Sequence, residues 1–121
     1  MSIDQREIWL VDFSPVIGSE IGKVRPALVL SHDRIGRLPL KTLVPLTDWK
    51  ERYAAYPWMV KIDPSDENGL SKSSAIDCFQ IKNLSDRRFV KRIGTVDEEM
   101  LRRVHEVVLQ TFDPLYAIAC R

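Results

Sequence analysis

The sequence predicts a mainly β (α+β) domain, a small and strongly twisted antiparallel barrel with one C-terminal amphipathic helix. Three observations predict it. Five or six short runs rich in β-branched and aromatic residues are separated by turns bearing Gly, Pro, Asn and Asp. A single stretch, late in the chain, repeats its apolar residues at helical period. The length of 121 residues suits one domain, and no repeat, low-complexity tract or linker divides it, so residues 1–121 read as one unit.

Ile8-Trp9-Leu10-Val11-Asp12-Phe13 is the first strand, closed by Ser14-Pro15. Val16 to Lys23 holds Gly18 and Gly22 and reads as a mobile loop. Arg25 to Leu30 is the second strand, with Pro26 tolerated near its start. Ser31 to Pro39 is a connection and Leu40 to Leu46 a third strand. Thr47 to Pro57 reads as a second long loop, Trp58 to Ile62 as a strand, and Asp63 to Gly69 as an acidic turn. Ser74 to Ile81 is another strand, Asn83 to Arg88 a single helical turn, and Phe89 to Ile93 a last short strand. Thr95 and Glu98 have capping-box spacing, and Met100, Leu101, Val104, Val107, Val108 and Phe112 then mark a helix over residues 96–112. Asp113-Pro114 ends it, and Leu115 to Cys120 is an apolar tail. One helix of about 16 residues covers only part of a small sheet, so a dimer is expected to cover the remaining edges.

Composition excludes several classes. With 45% hydrophobic and 29% charged residues the chain is globular, and 18 basic against 17 acidic residues rule out a polybasic wrapper of nucleic acid. No apolar run approaches a membrane span, and the start lacks a signal-peptide core, so a cytoplasmic protein is expected. Cys78 and Cys120 form neither a CxxC nor a zinc-ligand set, and a disulfide is not expected in a reducing compartment. Neither a metal nor a cofactor is expected.

The residues then offer separate candidates. Gly18 to Lys23 lacks P-loop spacing, and reads as a hairpin connection or as a substrate-covering loop. Arg25 precedes Pro26, which favours an extended backbone at Arg25; its guanidinium suits a phosphate, or a surface ion pair. Thr47 ends a strand and carries a hydroxyl that can serve a phosphate oxygen. Residues 82–92 hold Lys82, Arg87, Arg88, Lys91 and Arg92 against Asp86 alone, a net +4 in a chain whose total is +1. That patch fits a nucleic-acid backbone or a solvated rim. His32 and His105 are assigned to structure or surface, and thiol catalysis is disfavoured.

The order of these segments resembles the MazF/PemK family, the ribonuclease toxins of bacterial toxin–antitoxin pairs. Ile8 to Pro15 and Gly18-Ser19-Glu20-Ile21-Gly22-Lys23-Val24-Arg25-Pro26 carry the likeness. So do Val44-Pro45-Leu46-Thr47, Gly69 to Ser74, Gln80-Ile81, Arg88, Ile93-Gly94 and the helix from Asp97. The match spans about residues 7 to 112. The resemblance implies an SH3-like barrel working as a homodimer, cutting single-stranded RNA without metal and silenced by a cognate antitoxin protein. It implies Arg25 and Thr47 as catalytic residues, Glu20 and Lys23 on a loop over the RNA groove, Gln80 as a reader of bases and Arg88 as a basic lining residue.

Two departures stand out. Gln5-Arg6-Glu7 replaces a basic residue followed by Gly, moving a basic RNA contact to Arg6; Phe79 replaces an acid, offering a ring that stacks on a base. The implied chemistry needs no protein nucleophile, because the RNA 2′-hydroxyl attacks the neighbouring phosphate while Arg25 and Thr47 stabilise charge. The group that takes the 2′ proton is not assigned. A non-catalytic toxin that poisons DNA gyrase from the same barrel is the alternative, with the apolar tail as its docking element. A third reading is a peptide-binding module using Trp49, Tyr53, Tyr56 and Trp58.

Overall fold

The computed structural model describes residues 2–35 and 39–112. Seven strands are present in this part: β1 (Glu7–Asp12), β2 (Val24–Val29), β3 (Leu40–Asp48), β4 (Met59–Ile62), β5 (Ser74–Asp77), β6 (Lys82–Ser85) and β7 (Phe89–Thr95). One α-helix, α1 (Glu98–Phe112), follows them. The antiparallel order is β4-β5-β3-β2-β1-β7, with β6 pairing the first half of β3. β3 is the pivot. Its residues Leu43 to Pro45 pair with β2, whereas Leu46 to Asp48 pair with β5.

The terminal strands β4 and β7 do not pair, so the barrel is a loose, curled sheet and not a closed one. β4 and β5 have four residues each, too few to reach around. The helix packs on one face of the sheet: Leu101, Val104 and Val108 share a buried cluster with Ile8, Leu28, Val44, Leu46, Val60 and Ile76. Each such side chain, fully buried, contributes about 1.5–3 kcal/mol. A second cluster on the other side of β1 and β2 holds Trp9, Val11, Phe13, Ala27, Val29, Leu43 and Phe89. Strand alternation sorts the two sets, with Ile8 and Leu28 entering one and their neighbours the other.

Four sequence expectations need correction. The strand expected over Ser74 to Ile81 stops at Asp77, whose carboxylate accepts from Phe79 N at 3.1 Å and turns the chain. Most of the helical turn expected at Asn83 to Arg88 is strand β6, because β3 offers it a ladder; only Asp86–Arg88 is a 3-10 turn, capped by Ser85. The helix is capped by Asp97, not Thr95: Asp97 Oδ1 accepts from Met100 N at 2.8 Å, while Thr95 remains in β7. The expected loop from Thr47 to Pro57 also contains a 3-10 turn at Glu51–Ala55, after β3 has run on to Asp48. The apolar tail lies outside the described residues.

Candidate active site

Arg25 is the second residue of β2 and Thr47 the last but one of β3. The register that pairs Ala27 with Pro45 and Val29 with Leu43 puts Arg25 opposite Thr47 when carried two residues further. Alternation puts both on the face away from the α1-side cluster, to which Leu28, Val44 and Leu46 belong. Arg25 Nη1 donates to Thr47 Oγ1 at 3.2 Å, and its Nε donates to Gly22 O at 2.9 Å. The guanidinium is thereby oriented from two sides while half-buried. A planar cation beside a hydroxyl is a two-pronged holder for an oxyanion such as a phosphate.

The loop before β2 is tied over this pair. Phe13 N donates to Lys23 O at 2.9 Å, and Lys23 takes a positive φ of 68°, a strained conformation for a lysine. Glu20 accepts from Ile17 N at 2.8 Å and pairs with Lys82 Nζ at 3.1 Å. The Ile17 amide, then Lys82, hold the Glu20 carboxyl below its ordinary value. Ile21 N donates to Gln80 Oε1 at 2.7 Å, and Gln80 Nε2 donates to Asp77 Oδ2 at 3.2 Å. Burial pushes the Asp77 carboxyl up, against the opposing pull of its hydrogen bonds to Phe79 and Gln80. On the other flank Arg88 Nη1 donates to Asp12 O at 3.2 Å and to Ser14 O.

The structure therefore joins Arg25 directly to Thr47, and puts Glu20, Lys23 and Gln80 on or against the loop whose Gly22 carbonyl orients Arg25; Arg88 braces the start of that loop, and Phe79 is exposed beside Gln80. Arg6 is not brought to them. It sits beyond the other end of β1, its N–H donating to Val29 O at 3.0 Å. From Arg25 to Val29 is about 13 Å along the strand. There Arg6 lines a cavity of about 750 Å³ with Lys61, Asp63, Glu67 and Asp97. His32 Nδ1 accepts from Arg34 N at 3.0 Å and His105 Nε2 lies 3.3 Å from Leu30 O, both in local structural roles. Cys78 is buried, and burial followed by the Asp77 charge pushes its thiol up to about 12, far from a nucleophile's range. Sequence reasoning missed Asp77 as the anchor of Gln80. Its signal was the Asp77-x-x-Gln80 spacing, which closes one tight turn.

A small curled sheet with one helix packed on it, and an arginine–threonine pair beside a glycine-bearing loop, is an arrangement suited to holding an oxyanion. The family described as PemK-like, MazF-like toxin of type II toxin–antitoxin system matches residues 4–112. Endoribonuclease EndoA of Bacillus subtilis (strain 168) is 32% identical over 108 residues, covering 89% of this chain and 92% of that protein. Endoribonuclease MazF9 of Mycobacterium tuberculosis is 31% identical over 108 residues, covering 84% and 89%. A crystal structure of MazF from Deinococcus radiodurans superposes with a TM-score of 0.75 at 24% identity, covering 91% of this chain and 96% of that one. The chain belongs to the PemK-like, MazF-like toxins of type II toxin–antitoxin systems.

Proposed function

We propose that this toxin is an endoribonuclease that cuts single-stranded RNA at the Arg25–Thr47 pair. The observation that carries the reading is the 3.2 Å contact between the two side chains on one sheet face. The ribose 2′-hydroxyl gives up its proton as its oxygen bonds to the adjacent phosphorus, the bond from phosphorus to the 5′-oxygen breaks, and the leaving 5′-oxygen takes up one proton, so none is consumed overall. The products are a 2′,3′-cyclic phosphate and a 5′-hydroxyl. Arg25 neutralises charge developing on the equatorial oxygens and Thr47 donates to one of them. The substrate supplies the nucleophile and the arginine supplies the positive charge, so the step does not call for a metal ion.

In this reading Gln80 and Phe79, beside the loop before β2, serve flanking bases, and Glu20 and Lys23 belong to the loop that covers the groove. A cognate antitoxin silences the enzyme by displacing that loop, and a homodimer covers the open sheet edges. The toxin acts in the cytoplasm, where transcripts lie. The gyrase-poisoning alternative is not favoured: the curated relatives carry endoribonuclease names, and a non-catalytic toxin has no use for Arg25 beside Thr47. RNA cleavage in excess EDTA, mapped by primer extension, tests the reading. It should persist in chelator and fall by more than about a thousandfold in Arg25→Ala, with an unchanged melting temperature. Cleavage that needs metal, or that survives Arg25→Ala, overturns it.

A further inference from the structure

Asp77, the last residue of β5, is 5% exposed, and among the described residues no lysine or arginine pairs with its carboxylate. A buried carboxylate without a cation is costly, and hydrogen-bond donors must offset that cost. Two donors do so on different oxygens. Phe79 N donates to Oδ1 at 3.1 Å and closes the turn after β5, whereas Gln80 Nε2 donates to Oδ2 at 3.2 Å. The turn needs only the first bond. The second leads out of the turn, through Gln80, to the loop before β2.

Gln80 Oε1 accepts from Ile21 N at 2.7 Å. The next residue, Gly22, presents the carbonyl that accepts from Arg25 Nε at 2.9 Å, and Arg25 Nη1 donates to Thr47 Oγ1 at 3.2 Å. Four hydrogen bonds thus connect a buried carboxylate to the arginine–threonine pair, with the step from Ile21 to Gly22 made along the chain. Ile21 also packs its side chain against the cluster of Trp9, Val11 and Phe13, so the loop is pinned one residue before Gly22. The other tie, Glu20 to Lys82, is more exposed and lies one residue further from Gly22, where solvent weakens it.

The path has a fixed polarity. Ile21 N only donates and a carboxylate only accepts, so Gln80 keeps its oxygen toward the loop and its nitrogen toward Asp77. With that amide turned about, donor would face donor at Ile21 and acceptor would face acceptor at Asp77. One N–H and one lone pair of Gln80 are left over, in a set orientation.

We propose that Asp77 is a positioning residue for the cleavage reaction: it fixes the Gln80 amide, which fixes the loop at Ile21 and so the Gly22 carbonyl that aims the Arg25 guanidinium beside Thr47. The inference rests on the reading of Arg25–Thr47 as the cleaving pair. Asp77 acts on Arg25 only through these links.

The Arg25 Nε–H of the free toxin reports the far end of the path, because its bond to Gly22 slows exchange with water; heteronuclear NMR follows it, and Arg25→Lys identifies the resonance by its loss. Asp77→Asn keeps the shape and the bond from Phe79 N, but sets an amide donor against Gln80 Nε2. It should speed exchange at Arg25 Nε–H about tenfold, and lower the single-turnover cleavage rate at saturating RNA about tenfold. Gln80→Glu sets two carboxylates face to face and should speed exchange likewise. The double variant D77N/Q80E reverses the polarity, with position 77 donating and position 80 accepting from both sides, and should return exchange to within about twofold of wild type. Amides of the buried strand residues Val11 and Leu28 should keep their wild-type rates, which a general loosening of the fold would not allow. If Asp77→Asn does not fold, Gln80→Leu cuts the same path one link nearer Arg25 and should speed Nε–H exchange equally. Unchanged exchange at Arg25 Nε–H, no recovery in the double variant, or a full single-turnover rate in Asp77→Asn overturns the proposal. Cleavage that survives Arg25→Ala overturns the cleaving pair and with it the catalytic role of the path, while the exchange rates still judge whether Asp77 orients Arg25.

Discussion

The two faces of the β2–β3 ladder are built from the same residues in alternation, yet they are held in different ways. On one face Leu28, Val44 and Leu46 are fully buried against the helix and β5, so each position is fixed by many contacts. On the other, Arg25 and Thr47 are half-buried at the strand ends and fixed by a few hydrogen bonds. Packing energy is collective, whereas orientation of a cation depends on one carbonyl and one hydroxyl. The first face sets whether the protein folds, the second what it does once folded.

Leu28→Ala should sharpen that contrast most. Losing a fully buried leucine should cost about 2–5 kcal/mol in urea unfolding, while cleavage per folded molecule stays near wild type. A comparable loss of cleavage per folded molecule would show that the two faces are not separable. Thr47→Val should do the reverse. The isosteric change removes only the hydroxyl, and cleavage should fall about 10²–10³-fold with little change in melting temperature. A variant retaining more than about a tenth of wild-type activity would break the assignment of Thr47.

The smallest effect concerns the loop above the pair. Glu20 titrates below its ordinary 4.5, so the latch to Ile17 and Lys82 stabilises the loop above that pH and is lost as pH falls through the lowered value. The Ile17 amide resonance should therefore shift with a midpoint under 4.5, and should be flat in Glu20→Gln. A midpoint at or above 4.5 would detach the loop from this carboxylate.

Much of this was legible beforehand, for reasons that differ by element. The strands at Ile8, Arg25 and Leu40 announce themselves by composition, and the helix by its period, because local side-chain preference and the fold agree there. Asn83 to Ser85 misled: alone it suits a helical turn, and only the ladder offered by β3 makes it strand β6. Thr95 misled as a cap because Asp97 lies two residues nearer the first free amides. Arg25 was a candidate from its Pro26 neighbour, whereas the basic residue of Gln5-Arg6-Glu7 proved to lie at the other end of the strand, beside acids.

By itself the sequence determined most of the strands and the helix, where the loop before β2 lies and which side chains can meet a phosphate, because those depend on residue type and short spacing. Tertiary structure decided that residues 25 and 47 meet at all, that Asp77 and Gln80 fasten the loop, and that the aromatics from Trp49 to Phe79 touch in series. Those are matters of strand register and sheet curvature, set when distant segments compete for the same hydrogen-bonding edges.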